Sequence, residues 1–406
     1  MCEGKQFCMK ILAIETSCDE TAIAIAEFTG PKTSPRISVL SNNVSSQIAI
    51  HKKFGGVVPN LARREHEKNL TFILKRALKE ARFLNSKSQI TNHKQISNPK
   101  IRNIEKILER EPELLKQFKK HILPLPKPGI DAVAVTYGPG LAPALWVGVN
   151  FARALAVLWD KPVIPINHME GHFFSSFLQK KGKENFQFSI FNFRFPLLGL
   201  LVSGGHTELI LVQKSWKFKI IGETRDDAAG EAFDKVARIL GLPYPGGPAI
   251  SAIAEMELKV KNEKLKITLP RPMLNSDDFD FSFSGLKTAV LYLVRDLGTK
   301  QTKKLRPMIA KEFQDAVVDV LVKKTIRAAK TYKAKTVLLG GGVAANKELR
   351  HRLKSAIKKE MPKTSYQLPV TDLTGDNALM IALAAHFTGK KKAWNKVHAD
   401  ANSRLV

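Results

Sequence analysis

Two stretches far apart in the chain carry the same strand–turn–strand pattern and align without a gap. Residues 10–17 are an apolar, β-branched run, residues 18–20 a polar turn, and residues 21–28 a second apolar run. Residues 197–203 run into Gly204, Gly205 and His206, and residues 207–212 return as a strand. Ser17 falls on Ser203, Thr21 on Thr207, Ile23 on Leu209 and Ile25 on Leu211. A hairpin that recurs once, half a chain later, predicts a duplicated domain and not a solenoid of short repeats.

The segments after each hairpin alternate strand and helix. Residues 131–136 read as a strand, 137–140 as a glycine turn, 141–159 as a helix and 162–166 as a short strand. Residues 335–339 read as a buried strand, Gly340, Gly341 and Gly342 as a tight loop, and 346–359 as a helix. This alternation predicts an α/β protein, and a length of 406 residues suits two cores. The expected organisation is a tail at 1–8, a first lobe at 9–166 and a second lobe at 167–377. A C-terminal helix and basic tail at 378–406 return to the first lobe. Residues 85–128 interrupt the first lobe with a polar insertion that carries ten Lys or Arg against four Glu. Its middle, 101–121, has helical spacing, and it reads as a solvated surface excursion. Residues 182–195 read as an irregular loop.

Three cysteines, Cys2, Cys8 and Cys18, cannot form a disulfide scaffold and fit a reducing compartment. No apolar run reaching the ~18 residues of a bilayer span is evident, and the N-terminus lacks an apolar signal region, so no membrane partner and a cytoplasmic location are expected. The formal net charge of +28 favours polyanionic partners, nucleic acid first, against the plainer reading of a generally Lys-rich composition.

The sharpest chemical signal is His168-Met169-Glu170-Gly171-His172. Histidines at i and i+4 lie on one helix face within reach of one cation. The motif follows a strand end at 164–166, where α/β sites lie. Zinc peptidases need a glutamate beside a ligand, whereas Glu170 sits two residues from both histidines and points to the far side of the helix. Two imidazoles leave coordination incomplete, and Asp372 and Asp376 offer the missing carboxylate, with Asp376 also placed to cap the helix at 378–387. Two histidines and one carboxylate suit Fe(II) first and zinc as the alternative. The turns at Ser203-Gly204-Gly205, at Gly340–Gly342 and at Gly138-Pro139-Gly140 can each cradle phosphate through backbone N–H groups. Asp234 can bond ribose hydroxyls. Asp226 and Asp227 read as acids at a helix start.

These residues together resemble the tRNA N6-adenosine threonylcarbamoyltransferase family, formerly described as O-sialoglycoprotein endopeptidases. The matching strings are ILAIETSCDETA, FGGVVPNLARREH, GPGL, HMEGH, LLVSGGHTELILV, DDAAGEAFDKVARILGLPYPGGP, RPM, FSFSGLKT, EFQDAVVDVL, GGGVAANKELR and DNALMIA. The resemblance implies an actin, Hsp70 and sugar-kinase-like fold of two duplicated ribonuclease-H-like lobes around a nucleotide cleft. It places metal ligands on His168, His172 and Asp376. Substrate contacts fall on Leu201, Val202, Ser203, Gly204, Gly205, Asp234, Gly247, Ser251 and Asn346, and catalytic acids on Asp19 and Glu20.

It further implies threonylcarbamoyl-adenylate as donor substrate, with ATP or ADP able to occupy the same cleft, and adenine 37 beside the anticodon of tRNAs reading ANN codons as acceptor. The partners implied are the tRNA anticodon loop, a metal-less paralogous subunit and a small ATPase. Three features depart from the family pattern: Asn167 before HMEGH where a second histidine is common, Leu373-Thr374-Gly375 before Asp376, and the insertion at 85–128, for which tRNA contact is a second reading. The rival function is a small-molecule kinase or ATPase of the same fold.

Overall fold

The computed structural model describes residues 8–84, 97–180, 187–190, 192–214, 216–257 and 267–405. In chain order the first elements are β1 (Cys8–Glu15), β2 (Glu20–Thr29), β3 (Arg36–Ser46), α1 (Ile48–His51), α2 (Pro59–Glu80), α3 (Asn98–Ile107) and α4 (Pro112–His121). There follow β4 (Ala132–Gly138), α5 (Ala142–Trp159), β5 (Val163–Asn167), α6 (His168–Ser175), β6 (Leu178–Lys180) and β7 (Gln187–Ile190). The second half holds β8 (Leu197–Val202), β9 (Thr207–Gln213), β10 (Lys217–Glu223), α7 (Ala229–Ile239), α8 (Gly246–Glu257) and α9 (Ser284–Thr331). It closes with β11 (Thr336–Gly340), α10 (Lys347–Glu360), β12 (Ser365–Gln367) and α11 (Ala378–Phe387). The chain forms two compact units, residues 1–50, 57–191 and 375–405 as unit 1, and residues 51–56, 192–374 and 406 as unit 2.

Unit 1 is built on a sheet of order β5-β4-β1-β2-β3-β7-β6. β1, β4 and β5 run parallel, whereas β2 and β3 pair antiparallel. Strand alternation sorts its two faces. Leu12, Ile14, Ile23 and Ile25 share a core with Leu70 and Leu74 of α2 and Val147 and Phe151 of α5. The intervening Ile11 and Ala13 are buried outside that core, and α6 and α11 pack together with β1 and β2 on their side. Unit 2 repeats the arrangement with order β12-β11-β8-β9-β10, β8, β11 and β12 parallel and β9 and β10 antiparallel. The first two strands of each unit pair in the same register: Ile14 faces Ile23 and Leu12 faces Ile25, as Leu200 faces Leu209 and Leu198 faces Leu211.

Several elements differ from the sequence reading. α6 and the β6–β7 hairpin lie in unit 1, where β7 pairs with β3, although a second lobe is expected from residue 167. The same pairing puts a strand inside the stretch read as an irregular loop at 182–195, of which residues 182–186 and 191 lie outside the described residues. The insertion is two helices broken by Glu111-Pro112, because Pro112 can start a helix but not continue one. Residues 85–96 of the insertion and residues 1–7 of the tail, with Cys2, lie outside the described residues. α5 is long and apolar enough to cross a membrane by length and composition, which corrects the expectation that no such run exists. Its apolarity has another cause: β4 on one side and α2 and α3 on the other leave most of its surface buried. Asp226 does not serve the helix that follows it. Its Oδ1 accepts the backbone N–H groups of Phe283 at 2.8 Å and Ser284 at 3.2 Å, and so caps α9. α9 itself breaks at Gly298, whose φ of 67° is outside the helical region.

The insertion is anchored. Phe118 of α4 is fully buried, and its ring meets Phe151 of α5 edge-on at 5.9 Å. Phe118→Ala is expected to destabilise unit 1 by about 3–5 kcal/mol, read from the denaturant midpoint of the full chain. A loss below about 0.5 kcal/mol, the range of free surface positions, would mean that α4 is not docked.

Candidate functional site

α6 begins directly after β5, because Asn167 caps it: the Asn167 side chain accepts the Met169 N–H at 2.9 Å. His168 and His172 then stand one turn apart, with ring centroids 4.6 Å apart. α11 runs against α6, and Gly171 allows the approach. A methyl group at Gly171 would sit 2.9 Å from Ile381 Cδ1 and 3.0 Å from Met380 Cγ.

The cap of α11 is Asn377, which accepts the Met380 N–H at 3.1 Å. Asp376 is therefore not the cap, and its carboxylate turns to the histidines. Asp376 Oδ1 lies 3.4 Å from His168 Nε2 and 3.1 Å from His172 Nε2. A first-row cation with bonds of ~2.1 Å sets its donors roughly 3.0–3.4 Å apart, so the spacing suits such an ion. His172 is fully buried, its Nε2 faces Asp376, and its Nδ1 makes no hydrogen bond among the described residues. Among the described residues this is the one group of three or more His, Cys, Asp or Glu side chains with metal-ligand spacing, its donor atoms all within 4.8 Å. Asp372 is not part of it.

Behind His168 stands Glu15, the last residue of β1. Its Oε2 lies 3.1 Å from His168 Nδ1. Its Oε1 accepts the Ser17 N–H at 2.5 Å, and Oε2 accepts the Thr136 hydroxyl at 2.5 Å. In the neutral imidazole this contact favours the proton on Nδ1, which leaves the Nε2 lone pair toward Asp376. Burial resists charge on His168, but the carboxylates of Asp376 and Glu15 outweigh it and hold the imidazole well above its usual range. Burial likewise resists ionisation of Glu15 and Asp376, and His168 overrides it, keeping both carboxyls below the usual range.

The turn after β1 carries Asp19 and Glu20. Asp19 is buried, and its Oδ2 has no hydrogen-bond partner among the described residues. Glu20 lies beside it: burial, then the charges of Asp376 and Asp19, push its carboxyl up to about 10. Burial, then Asp19 and Asp376, also raise the Cys18 thiol well above its usual value. Cys18 is therefore no thiolate nucleophile. Glu170 points away from the ion position, as its spacing predicts, and accepts the Thr388 hydroxyl at 3.2 Å. It cannot act as a peptidase base.

The remaining expected site residues belong to unit 2. Leu201 and Val202 end β8, and the turn Ser203-Gly204-Gly205 is closed by the Ser203 N–H to the His206 carbonyl at 2.8 Å. A side chain at Gly204 or Gly205 would meet no atom within 4 Å, so the turn faces open space. The Gly340–Gly342 loop lies against it. Gly341 has φ 87°, and a methyl group there would overlap Val202 O at 2.3 Å. Both loops stand at the carboxyl ends of neighbouring parallel strands, β8 and β11. Asp234 Oδ1 accepts the Gly246 N–H at 2.6 Å and so holds the turn that carries Gly247. Ser251 and Asn346 come together around Gln314: the Asn346 amide donates to Ser251 Oγ at 3.0 Å and to Gln314 Oε1 at 2.9 Å. Asn346 Oδ1 also caps α10 at the Leu349 N–H.

The chain matches the family profile of TsaD, tRNA N6-adenosine threonylcarbamoyltransferase, over residues 38–90 and 114–383. The chain belongs to that family. A relative of that name from Syntrophomonas wolfei is 43% identical over 396 residues, 98% of this chain and 97% of that protein. Relatives of the same name from Thermosipho melanesiensis (42% over 379 residues, covering 93% and 94%) and Enterococcus faecalis (39% over 391 residues, covering 96% and 93%) agree.

Sequence reasoning did not single out three residues that shape the site of this family member. Glu15 was signalled by a carboxylate at an inward position of an otherwise apolar strand. His66 of α2 reaches the turn after β1, with Nδ1 2.7 Å from the Thr21 hydroxyl and Nε2 3.0 Å from the Cys18 carbonyl. Gln314 is buried in α9 and bonds both Ser251 and Asn346. Glu15→Gln is expected to lower the affinity for Zn(II) or Fe(II) by roughly 10- to 100-fold, measured by competition with a chromophoric chelator. An unchanged metal affinity would reduce Glu15 to a packing role.

Proposed function

We propose that this chain transfers the threonylcarbamoyl group of threonylcarbamoyl-adenylate to N6 of adenine 37 in tRNAs reading ANN codons, releasing AMP. The observation that carries the reading is the buried set of His168, His172 and Asp376 in a chain that belongs to this family. A divalent cation bound there, Fe(II) before zinc, supplies Lewis acidity toward carbamoyl or phosphate oxygens.

The rest of the chemistry falls to side chains and amides of the chain. Glu15 holds the His168 ring in register. Asp19, with a buried and unsatisfied Oδ2, accepts a proton from the adenine amine as N6 bonds to the carbamoyl carbon. The carbamoyl–O–phosphate bond breaks, and its electron pair leaves with AMP. Glu20, protonated next to Asp19, orients it. The N–H groups of the open turn at Ser203–Gly205 and of the Gly340–Gly342 loop bind the adenylate phosphate. Leu201 and Val202 set that turn at its strand end. Asp234 and Gly247 shape the wall that receives the ribose, and the Ser251, Asn346 and Gln314 cluster backs it.

The common strand order and hairpin register of the two sheets support two duplicated ribonuclease-H-like lobes of the actin, Hsp70 and sugar-kinase type. The family reading also supports a metal-less paralogous subunit and a small ATPase as partners, and the anticodon loop as the RNA element presented, since its unstacked bases enter a pocket without opening a duplex. A small-molecule kinase or ATPase is disfavoured, because neither needs a buried two-histidine, one-carboxylate set.

Reconstitution with threonylcarbamoyl-adenylate, metal, the partner subunits and unmodified tRNA, followed by nucleoside mass spectrometry, tests this. Wild type is expected to form threonylcarbamoyladenosine. His168→Ala and Asp376→Ala are each expected to lose roughly 100-fold or more, since several kcal/mol of transition-state stabilisation leave with the ion. Chelation should abolish product, and re-addition of Fe(II) or Zn(II) one at a time should identify the working ion. Normal product from both variants would remove the metal from the mechanism, and absence of product from the metal-loaded wild type would sink the transferase reading.

A further inference from the structure

The family profile leaves residues 91–113 unmatched, and residues 103–111 of that stretch line one wall of a cavity in unit 1. The cavity has a volume of about 710 Å³, within the range of ligand sites. One wall is a stripe of α3 and the residues after it, Lys106, Ile107 and Arg110; the other is a stripe of α5, Trp146, Asn150 and Arg153, with Trp394 beside it. From Ala142 to Arg153 the α5 stripe runs about 16 Å at the helical rise.

The lining has a specific chemistry. The side chains of Lys106 and Arg110 form no hydrogen bond or ion pair among the described residues. Arg153 is fixed in place: its Nη1 donates to Asn150 Oδ1 at 2.9 Å, and its guanidinium lies 5.7 Å from the Trp394 ring centroid. Trp146 is 36% exposed, and its ring meets only the edge of His398, at 6.3 Å. Two acids also line it: Glu109 is exposed, and Glu111 is buried and receives the Asn150 amide at 3.2 Å. Burial raises the Glu111 carboxyl above the usual range. Flat indole faces beside unpaired cations are the combination that takes a nucleobase and its phosphate together. A neutral peptide would leave Lys106 and Arg110 unused.

We propose that this cavity is a second RNA contact of the chain, holding an unstacked nucleotide of the tRNA and its flanking phosphate away from the adenine that is modified. It lies on the α2 and α5 face of the unit 1 sheet, whereas His168, His172 and Asp376 lie on the α6 and α11 face. The proposal rests on the reading of tRNA as substrate. It adds an anchoring point supplied by the insertion, outside the sequence shared with the family profile.

The test is equilibrium binding of unmodified full-length tRNA to the full chain by fluorescence anisotropy over a range of salt concentrations. Lys106→Glu with Arg110→Glu is expected to weaken binding roughly 10-fold and to lower the slope of log affinity against log salt by about 1 to 2, one for each phosphate no longer neutralised. Trp146→Ala is expected to weaken binding roughly 5-fold or more through weaker base stacking, and to remove most tRNA-induced quenching of tryptophan fluorescence. Arg110→Lys, which keeps the charge and the fold, should bind nearly as wild type. Wild-type tRNA affinity in both the charge-reversed and the Trp146→Ala proteins overturns the proposal. So does loss of association with a protein subunit while tRNA affinity stays unchanged, which would make the cavity a protein contact. Variants that lose tRNA binding in a system whose wild type forms no modified adenine would support the cavity while sinking the transferase reading.

Discussion

A carboxylate buried at the end of a strand costs several kcal/mol unless its neighbours repay it, and Glu15 is such a group. Strand alternation points it to the α6 and α11 face of unit 1. There the Ser17 amide, the Thr136 hydroxyl and the His168 imidazole all donate to it. None of these contacts is optional once the side chain is dry. The consequence runs outward: His168 must present Nδ1–H inward, Nε2 must face outward, and α6 must start where β5 ends. α11 must then approach closely enough at Gly171 to bring Asp376 to the same point. The position of His168, His172 and Asp376 follows from the need to satisfy one carboxylate.

Much of the fold could be read from the chain because its signals are local. Apolar runs, glycine turns and helical spacing located β1, β2, β4 and β5 of one sheet, β8, β9 and β11 of the other, and the limits of α5 and α11. The repeated hairpin is visible because its turn residues and inward side chains recur at one offset, and the register pairs share that offset. What escaped depends on packing. The strand β7 is specified by its pairing with β3. α5 has the length and composition of a membrane span because a helix packed against β4, α2 and α3 keeps few polar positions. The two insertion helices read as one because periodicity continues across Glu111-Pro112 while the backbone cannot.

The ligands could be read for the same reason of locality: two histidines four residues apart share a face wherever a helix forms. Asp376 could be read only as one of two candidates, since a carboxylate before a helix is more often a cap. The structure decides between roles because Asn377 does the capping. Glu15, His66 and Gln314 act across sequence separations that no motif spans. His66 is the clearest case, a histidine of α2 that grips a carbonyl in a turn 48 residues earlier.

The balance of charge around the histidines points to an ion as well. Glu15 and Asp376 face the two imidazoles, Glu20 lies in the field of Asp376 and Asp19, and the carboxylates hold the His168 imidazole well above its usual range. Without a cation the cluster stays tolerable only because Glu20 keeps its proton, pushed up to about 10 by burial and by Asp376 and Asp19. A divalent ion at the Nε2, Nε2 and Oδ1 positions reverses that field, favouring neutral imidazoles and ionised carboxylates. Several carboxyl groups thus meet at one buried point, in a chain whose formal net charge is +28. An excess of acid so placed, against so basic a background, is not explained by surface solvation or by helix capping. A divalent cation at the three donor positions would balance it.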